Sequence, residues 1–121
     1  MINEFNLEEK FALIEEYWTP KIVGELNGQY VKLAKGKGEL IWHSHEDEDE
    51  LFYIAKGTLK MEFRDRTTYT KAGEILIIPR GVEHKPSTDG EEVWIMLFEP
   101  KATKHTGEIV HEKTVTDLEW I

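Results

Sequence analysis

The chain contains no cysteine. No disulfide can brace it and no thiolate can ligate a metal, so any metal it holds must rest on nitrogen and oxygen. Positive charge is scarce: 15 Lys and Arg stand against 24 Asp and Glu, a formal net charge of -9. Affinity for phosphate backbones and for anionic membrane surfaces comes from basic side chains, so neither nucleic acid nor a membrane is an expected partner. Nothing approaches the roughly 18 consecutive apolar residues of a membrane-spanning helix. Residues 1–10 carry Glu4, Glu8 and Glu9 without an apolar run. No signal peptide is expected there, and a cytoplasmic location follows. Linkers, low-complexity stretches and internal repeats are also lacking. What is present is ordinary for one globular domain: 121 residues, 40% hydrophobic and 32% charged.

The chain divides into a helical segment (1–20), a β-rich body (21–100) and a polar C-terminal arm (101–121). Asn6 with Glu9 three positions later has the pattern of a helix N-cap. Leu7, Phe11, Ile14 and Trp18 recur at helical spacing, and Pro20 should stop the helix. Beyond it, Asn27-Gly28 between two apolar runs predicts a hairpin, with strands over 22–26 and 29–35. Further strands are expected over 39–45, 50–55, 58–64, 67–70, 74–78 and 92–98. Leu59, Met61 and Phe63 alternate with polar residues, which predicts one buried face. The run Glu74 to Ile78 is continuously apolar after its first residue and predicts a strand buried on both faces. Short strands punctuated by Gly and Pro predict an all-β sandwich or small barrel. In the arm, Leu118, Trp120 and Ile121 offer apolar contacts for docking.

Three of the five histidines carry the functional signal. His43 and His45 are two apart on an expected strand and therefore share a face. Two imidazoles side by side are a poor apolar core, and neutral imidazoles aimed at one metal would explain them. A His-x-His pair alone is weak evidence. Glu50 opens the next strand after an acidic loop, and His84 follows a Pro-x-Gly turn. Three imidazoles and one carboxylate suit a divalent first-row metal. Glu48 is the rival carboxylate. The run Glu46 to Asp49 reads as a solvated loop, or else as an attractor of cations at a barrel mouth. His105 and His111 match no metal spacing.

These motifs resemble the cupin family. The first runs Gly38, four residues, His43-Ser44-His45, four residues, Glu50, six residues, Gly57. The second runs Gly73, five residues, Pro79-Arg80-Gly81, two residues, His84, three residues, Thr88. Fifteen residues separate the two. The family pattern has five residues before its first His where this chain has four, and often an Asn where Thr88 stands. Neither departure touches His43, His45, Glu50 or His84. The resemblance covers residues 22 to 100 and implies a single-domain cupin β-barrel, a jelly roll or double-stranded β-helix, with those four residues as metal ligands. It extends to small single-domain members described as mannose-6-phosphate-isomerase-like, and it implies a homodimer.

Trp42, lying between two ligands, should face away from the cavity, under the helix or at a dimer contact. Ile41, Phe52, Ile54, Met61 and Phe63 could line the pocket. Arg64, Arg80 and Lys85 could hold an anionic substrate, against the plainer reading of solvated charges. The cofactor expected is one divalent metal ion: Zn, Mn, Fe or Ni. The leading function is a metal-dependent, isomerase-like enzyme acting on a small carbohydrate or organic acid. The alternatives are an iron-dependent dioxygenase, a small-molecule binding or sensing module, and a metal that serves only the fold. No separate catalytic acid or base stands out.

Overall fold

The computed structural model describes residues 3–101 and 118–121. One short helix precedes eight strands: α1 (Leu7–Phe11), β1 (Lys21–Leu26), β2 (Gln29–Gly36), β3 (Glu50–Lys56), β4 (Thr58–Phe63), β5 (Thr67–Lys71), β6 (Ile75–Ile78), β7 (His84–Ser87) and β8 (Val93–Pro100). They form a five-stranded sheet in the order β1-β2-β8-β3-β6 and a three-stranded sheet in the order β5-β4-β7. All pairings between these strands are antiparallel. This is the all-β jelly roll expected of the sequence.

The β1–β2 hairpin turns where Asn27-Gly28 predicts. Asn27 has φ 49° and Gly28 φ 76°, the left-handed pair that a two-residue hairpin turn requires. β8 is central. It pairs with β2 over eight residues and with β3 on its other side. Its side chains alternate strictly, with Val93, Ile95, Leu97 and Glu99 buried and Trp94, Met96, Phe98 and Pro100 half-buried. The strand therefore serves two apolar clusters at once. The larger lies between the sheets and includes Ala34, Phe52, Ile54, Leu59, Met61, Ile95 and Leu97. The smaller lies on the outer face of the large sheet, where Phe11, Ile14, Val23 and Leu33 pack with Trp94 and Met96. There Phe11 stacks on Trp94 with ring centroids 4.9 Å apart.

The helix is shorter than its apolar spacing predicts. Asn6 caps it through Glu9 N–H at 3.0 Å, but it ends at Phe11. The reason is that Ile14 and Trp18 belong to different clusters. A helix continuing through both would set them on one face, so the chain leaves the helix to cross the sheet edge. Trp18 takes a left-handed φ of 55°, its amide donates to Lys35 O at 2.7 Å, and its ring enters the interior. The ring lies where a side chain on residue 36 would sit: a Cβ there would meet it at 2.5 Å, so any larger residue would force the Trp18 ring to shift.

Two further expectations change. The segment 39–45 is no continuous strand; it touches β7 through separate bridges, Glu39 to Ser87 and His43 to His84. The stretch 75–78 is not buried on both faces. It is the edge strand β6, with Leu76 and Ile78 turned inward while Ile75 and Ile77 are 58% and 60% exposed. Strand β7, with its Lys85-Pro86 pair, has no strand-like sequence and was not expected. Pro86 is tolerated because β7 lies at the end of the small sheet, met on its outer side only by the separate bridges from 39–43, where its carbonyl accepts from Leu40 N–H at 2.9 Å.

The last residues dock on β1. Ile22 N–H donates to Glu119 O at 2.8 Å and Ile121 N–H to Ile22 O at 3.0 Å. Trp120 meets Tyr30 edge to face at 5.7 Å. Most of the arm, including His105 and His111, lies outside the described residues. Among the described residues, no helix is long and apolar enough to cross a membrane.

Candidate metal centre

The two motifs meet through backbone pairing. His43 N–H donates to His84 O and His84 N–H to His43 O, both at 2.9 Å, so the two side chains leave the same face at close range. Their ring centroids are 4.4 Å apart. His45, two residues on, turns to the same side, and its carbonyl accepts from Gly81 N–H at 2.7 Å. That bond ties the Pro79-Arg80-Gly81 turn to the His-x-His segment. Glu50 starts β3 from the opposite sheet.

His43, His45, Glu50 and His84 are all buried, and one ligand atom from each lies within 4.8 Å of the other three. Atoms bound about 2.0–2.2 Å from one centre are separated by roughly 3–4 Å, so only a small contraction is needed. The tautomers suit a cation. His43 Nδ1 is 2.8 Å from Ile41 O and His84 Nδ1 is 2.9 Å from Val82 O. A carbonyl only accepts, so each Nδ1 carries a proton, and in the neutral form of either ring Nε2 is the bare nitrogen. His84 Nε2 stands 3.3 Å from Glu50 Oε1, and His45 Nε2 stands 2.8 Å from it. These contacts lack hydrogen-bond geometry, and all three atoms are buried without a hydrogen-bond partner. Wherever these ring nitrogens are bare, they and the carboxylate oxygen repel unless a cation or a proton lies between them. The donor set therefore fits a divalent metal; three imidazoles and a carboxylate suit Zn, Mn, Fe or Ni alike.

Electrostatics agree. Burial, followed by the neighbouring His84, lowers the His43 pKa to about 4, which keeps its ring neutral. Burial pushes Glu50 upward, but contacts with His45, His84 and Glu99 outweigh it and hold the carboxyl well below its usual range. Glu99 moves the other way, raised by burial and by the charge of Glu50. The two neighbouring carboxyls thus shift in opposite directions. The His43 shift has a measurable consequence. The unfolded ring takes its proton near pH 6.5 and the folded ring near pH 4, so the unfolded chain binds more protons between those values. Stability of the metal-free protein should be full above about pH 6.5 and fall by about 3 kcal/mol as pH drops to about 4. Urea melts at about pH 7 and pH 4.5 check this; equal midpoints would contradict it.

A small cavity of about 30 Å³ adjoins the cluster, lined by His43 and Glu50 and otherwise by apolar groups, among them Trp18, Leu40, Phe52 and Leu97. Of the residues expected to line the pocket, only Phe52 does. Ile54 and Met61 are fully buried core, and Ile41 and Phe63 pack against that core. Trp18, placed by the sequence on a helix, is instead a wall of the cavity. Its indole Nε1 donates to Lys37 O at 3.1 Å.

The remaining candidates lie elsewhere. Glu48 is not in the cluster; its carboxylate accepts from Asp47 N–H at 3.1 Å in the loop. Arg64 stacks on Trp42 at 3.8 Å and pairs with Glu83 at 2.6 Å. Trp42 thus packs under an arginine, not under the helix. Arg80 pairs with Asp49, and Lys85 with Glu39 and Glu62. None of the three bases lines the cavity. Thr88, in place of the family's Asn, is bonded to Gly38: its hydroxyl accepts from Gly38 N–H and its own N–H donates to Gly38 O, both at 2.9 Å. It fastens the start of the first motif to the end of the second. Sequence reasoning missed the buried pair Lys32 and Glu99, 2.9 Å apart, of which Glu99 neighbours Glu50. The alternation of β8 places Glu99 inward, but only once the parity of that strand is known.

Comparison with known proteins agrees with this architecture. A cupin-2 domain containing protein from Shewanella frigidimarina NCIMB 400 is 44% identical, with a TM-score of 0.78 over 80% of this chain and 94% of that one. Protein NMB1881 from Neisseria meningitidis is 28% identical, with a TM-score of 0.74 over 82% of this chain and all of that one (100%). The uncharacterized protein YdbB of Bacillus subtilis (strain 168) is 42% identical over 64 residues, 52% of this chain and 57% of that protein. The match therefore spans little more than half of that curated relative. The family model described as the cupin domain matches residues 29–99, more than half of the sequence, and with the jelly roll and both motifs in place the chain belongs to the cupin family.

Proposed function

We propose that this protein holds one divalent first-row metal on His43, His45, Glu50 and His84 and acts through it on a small oxygen-bearing organic molecule. The observation that carries this reading is the convergence of the buried His45 Nε2 and His84 Nε2 on Glu50 Oε1, at 2.8 and 3.3 Å, with none of the three atoms in a hydrogen bond. When bound there, the metal would supply Lewis acidity to a carbonyl or hydroxyl oxygen, the chemistry of an isomerase-type reaction. The chain's own part is to orient the His43 and His84 rings through the carbonyls of Ile41 and Val82 and to exclude water with Trp18, Leu40 and Phe52.

Of the two substrate classes, a compact organic acid suits the site better than a carbohydrate. A sugar brings many hydroxyls, and each would lose its hydrogen bonds to water against the apolar walls. This also weighs against mannose-6-phosphate-isomerase-like chemistry. An iron-dependent dioxygenase would use the same ligands. A binding or sensing role has an observation of its own: among the described residues, His43 and Glu50 are the titratable side chains lining the cavity, and no separate acid or base stands beside them.

A cytoplasmic homodimer belongs to the same proposal. Exposed Ile75 and Ile77 support self-association, which light scattering on the purified protein would decide. For the metal and its ligand, the purified chain is analysed for metal content, loaded with each candidate ion, and melted with small oxo-acids, sugars and sugar phosphates. One equivalent of metal is expected, with an upward shift of Tm for oxo-acids and little for sugars; a ligand at 100 times its Kd stabilises by about 2.7 kcal/mol. Absence of metal uptake defeats the reading, and turnover of the stabilising ligand separates enzyme from binding module.

A further inference from the structure

His43, His45, Glu50 and His84 are each at most 4% exposed, so a ligand reaches them through the adjoining cavity, on whose wall His43 and Glu50 stand. The volume of that cavity, about 30 Å³, holds roughly two waters. Its walls are of two kinds. Ala34, Phe52, Ile95 and Leu97 project from β2, β3 and β8, whose backbones are locked in one hydrogen-bonded ladder. Trp18 comes from outside the sheets, on the segment that crosses from α1 to β1.

Bringing that ring to the cavity takes an unfavourable backbone. Trp18 has φ 55°, a conformation that crowds any Cβ and is rare for a bulky residue. The position is held from two sides. The Trp18 amide donates to Lys35 O at 2.7 Å and the indole Nε1 to Lys37 O at 3.1 Å, so backbone and ring are both clamped to the end of β2 and the residue after it. Gly36, between the two acceptors, leaves the ring its room. The single polar atom of the indole is thereby spent on Lys37, and the ring offers a ligand no hydrogen bond, only a boundary. Filling the core needs neither the left-handed backbone nor the double clamp; backbone strain of this kind gathers where a side chain must stand at one place in a site. We propose that Trp18 is the specificity-determining residue of the cavity: its ring sets the upper size of the ligand, admitting molecules as small as azide or formate and turning away aromatic acids. This rests on the metal-binding reading above and gives its oxygen-bearing ligand a size limit.

The test loads the full chain with Co(II), whose visible absorption changes when an added anion joins the metal, and titrates it with azide, formate and benzoate. In the parent chain azide and formate should alter the spectrum, and benzoate at the same concentrations should not. Trp18→Leu removes the ring and keeps all four ligands. It should take up Co(II) and bind azide within about threefold of the parent, yet bind benzoate at least about 10-fold more tightly than the parent does. A ring that only stabilised the fold would change all three anions together. Should Trp18→Leu not fold, Trp18→Phe takes its place, with a smaller gain for benzoate of about threefold. A variant that excludes benzoate as the parent does overturns the proposal, and so does a parent that binds benzoate as readily as formate. A parent whose Co(II) answers to none of the three anions overturns it too, because the metal would then be closed to ligands of any size. In each of these cases Co(II) uptake leaves the metal site standing. A parent chain that takes up no Co(II) overturns the metal-binding reading itself, and this proposal with it.

Discussion

His84→Ala should abolish stoichiometric metal binding while leaving the jelly roll intact. The residue is fully buried, its backbone pairs with His43, and its Nδ1 is committed to Val82 O. Truncation removes the imidazole but keeps both backbone bonds, so the His43–His84 bridge that brings the motifs together persists. What disappears is one of four ligand atoms, the one contributed by the second motif. Loss of a ligand to a divalent ion costs far more than the 10- to 100-fold associated with a partner that only orients a ligand. Metal content after dialysis should fall from about one equivalent to near zero, and the Tm increase given by metal in the parent chain should vanish. His43→Ala should behave alike. A His84→Ala protein that still holds one equivalent at parental affinity would mean that the metal sits elsewhere.

The parts of this site that the sequence made legible share one property: they depend on local periodicity or on spacing within a motif. His43 and His45 share a face because strand-like backbone repeats every two residues, and this holds although 39–45 is not a regular strand. Glu50 was separable from Glu48 by motif spacing alone. Features that depend on which distant segment lies opposite were not legible. Ile14 and Trp18 fit one helical stripe, yet they pack into clusters on opposite sides of a sheet. Ile75 and Ile77 read as core because an apolar run does not disclose whether its strand is central or at an edge. Glu99 falls just outside the strand expected over 92–98. Its place across from Glu50 follows from the β3–β8 register, which no local pattern encodes.

The glycines make the same point through a prediction of stability. Gly57→Ala should be the most damaging of the glycine-to-alanine changes at turns, lowering stability by about 3 kcal/mol and Tm by on the order of 10 °C. Two costs combine. Gly57 has φ 80°, a conformation that places an alanine Cβ under strain of roughly 1 kcal/mol. A Cβ here would also press into Glu92 O and lie 3.2 Å from Val93 Cα, backbone atoms that cannot swing aside as a side chain would. Gly81 shares the first cost and not the second: its φ is 81°, with open space around its Cβ position. Gly81→Ala should therefore lose only about 1 kcal/mol. Gly24, in β1, has neither an unusual φ nor a neighbour within 4 Å of a Cβ, so Gly24→Ala should be neutral within about 0.5 kcal/mol. Urea denaturation of the three variants orders them. Equal losses would show that conformation alone sets the cost, and that the crowding by the Glu92–Val93 backbone relaxes freely. In sequence Gly57 and Gly81 are both turn glycines within their motifs. What separates them is the approach of the chain entering β8, 35 residues after Gly57 in the case of Glu92. The glycine closing the first motif is therefore where the turn after β3 and the start of the central strand must fit together.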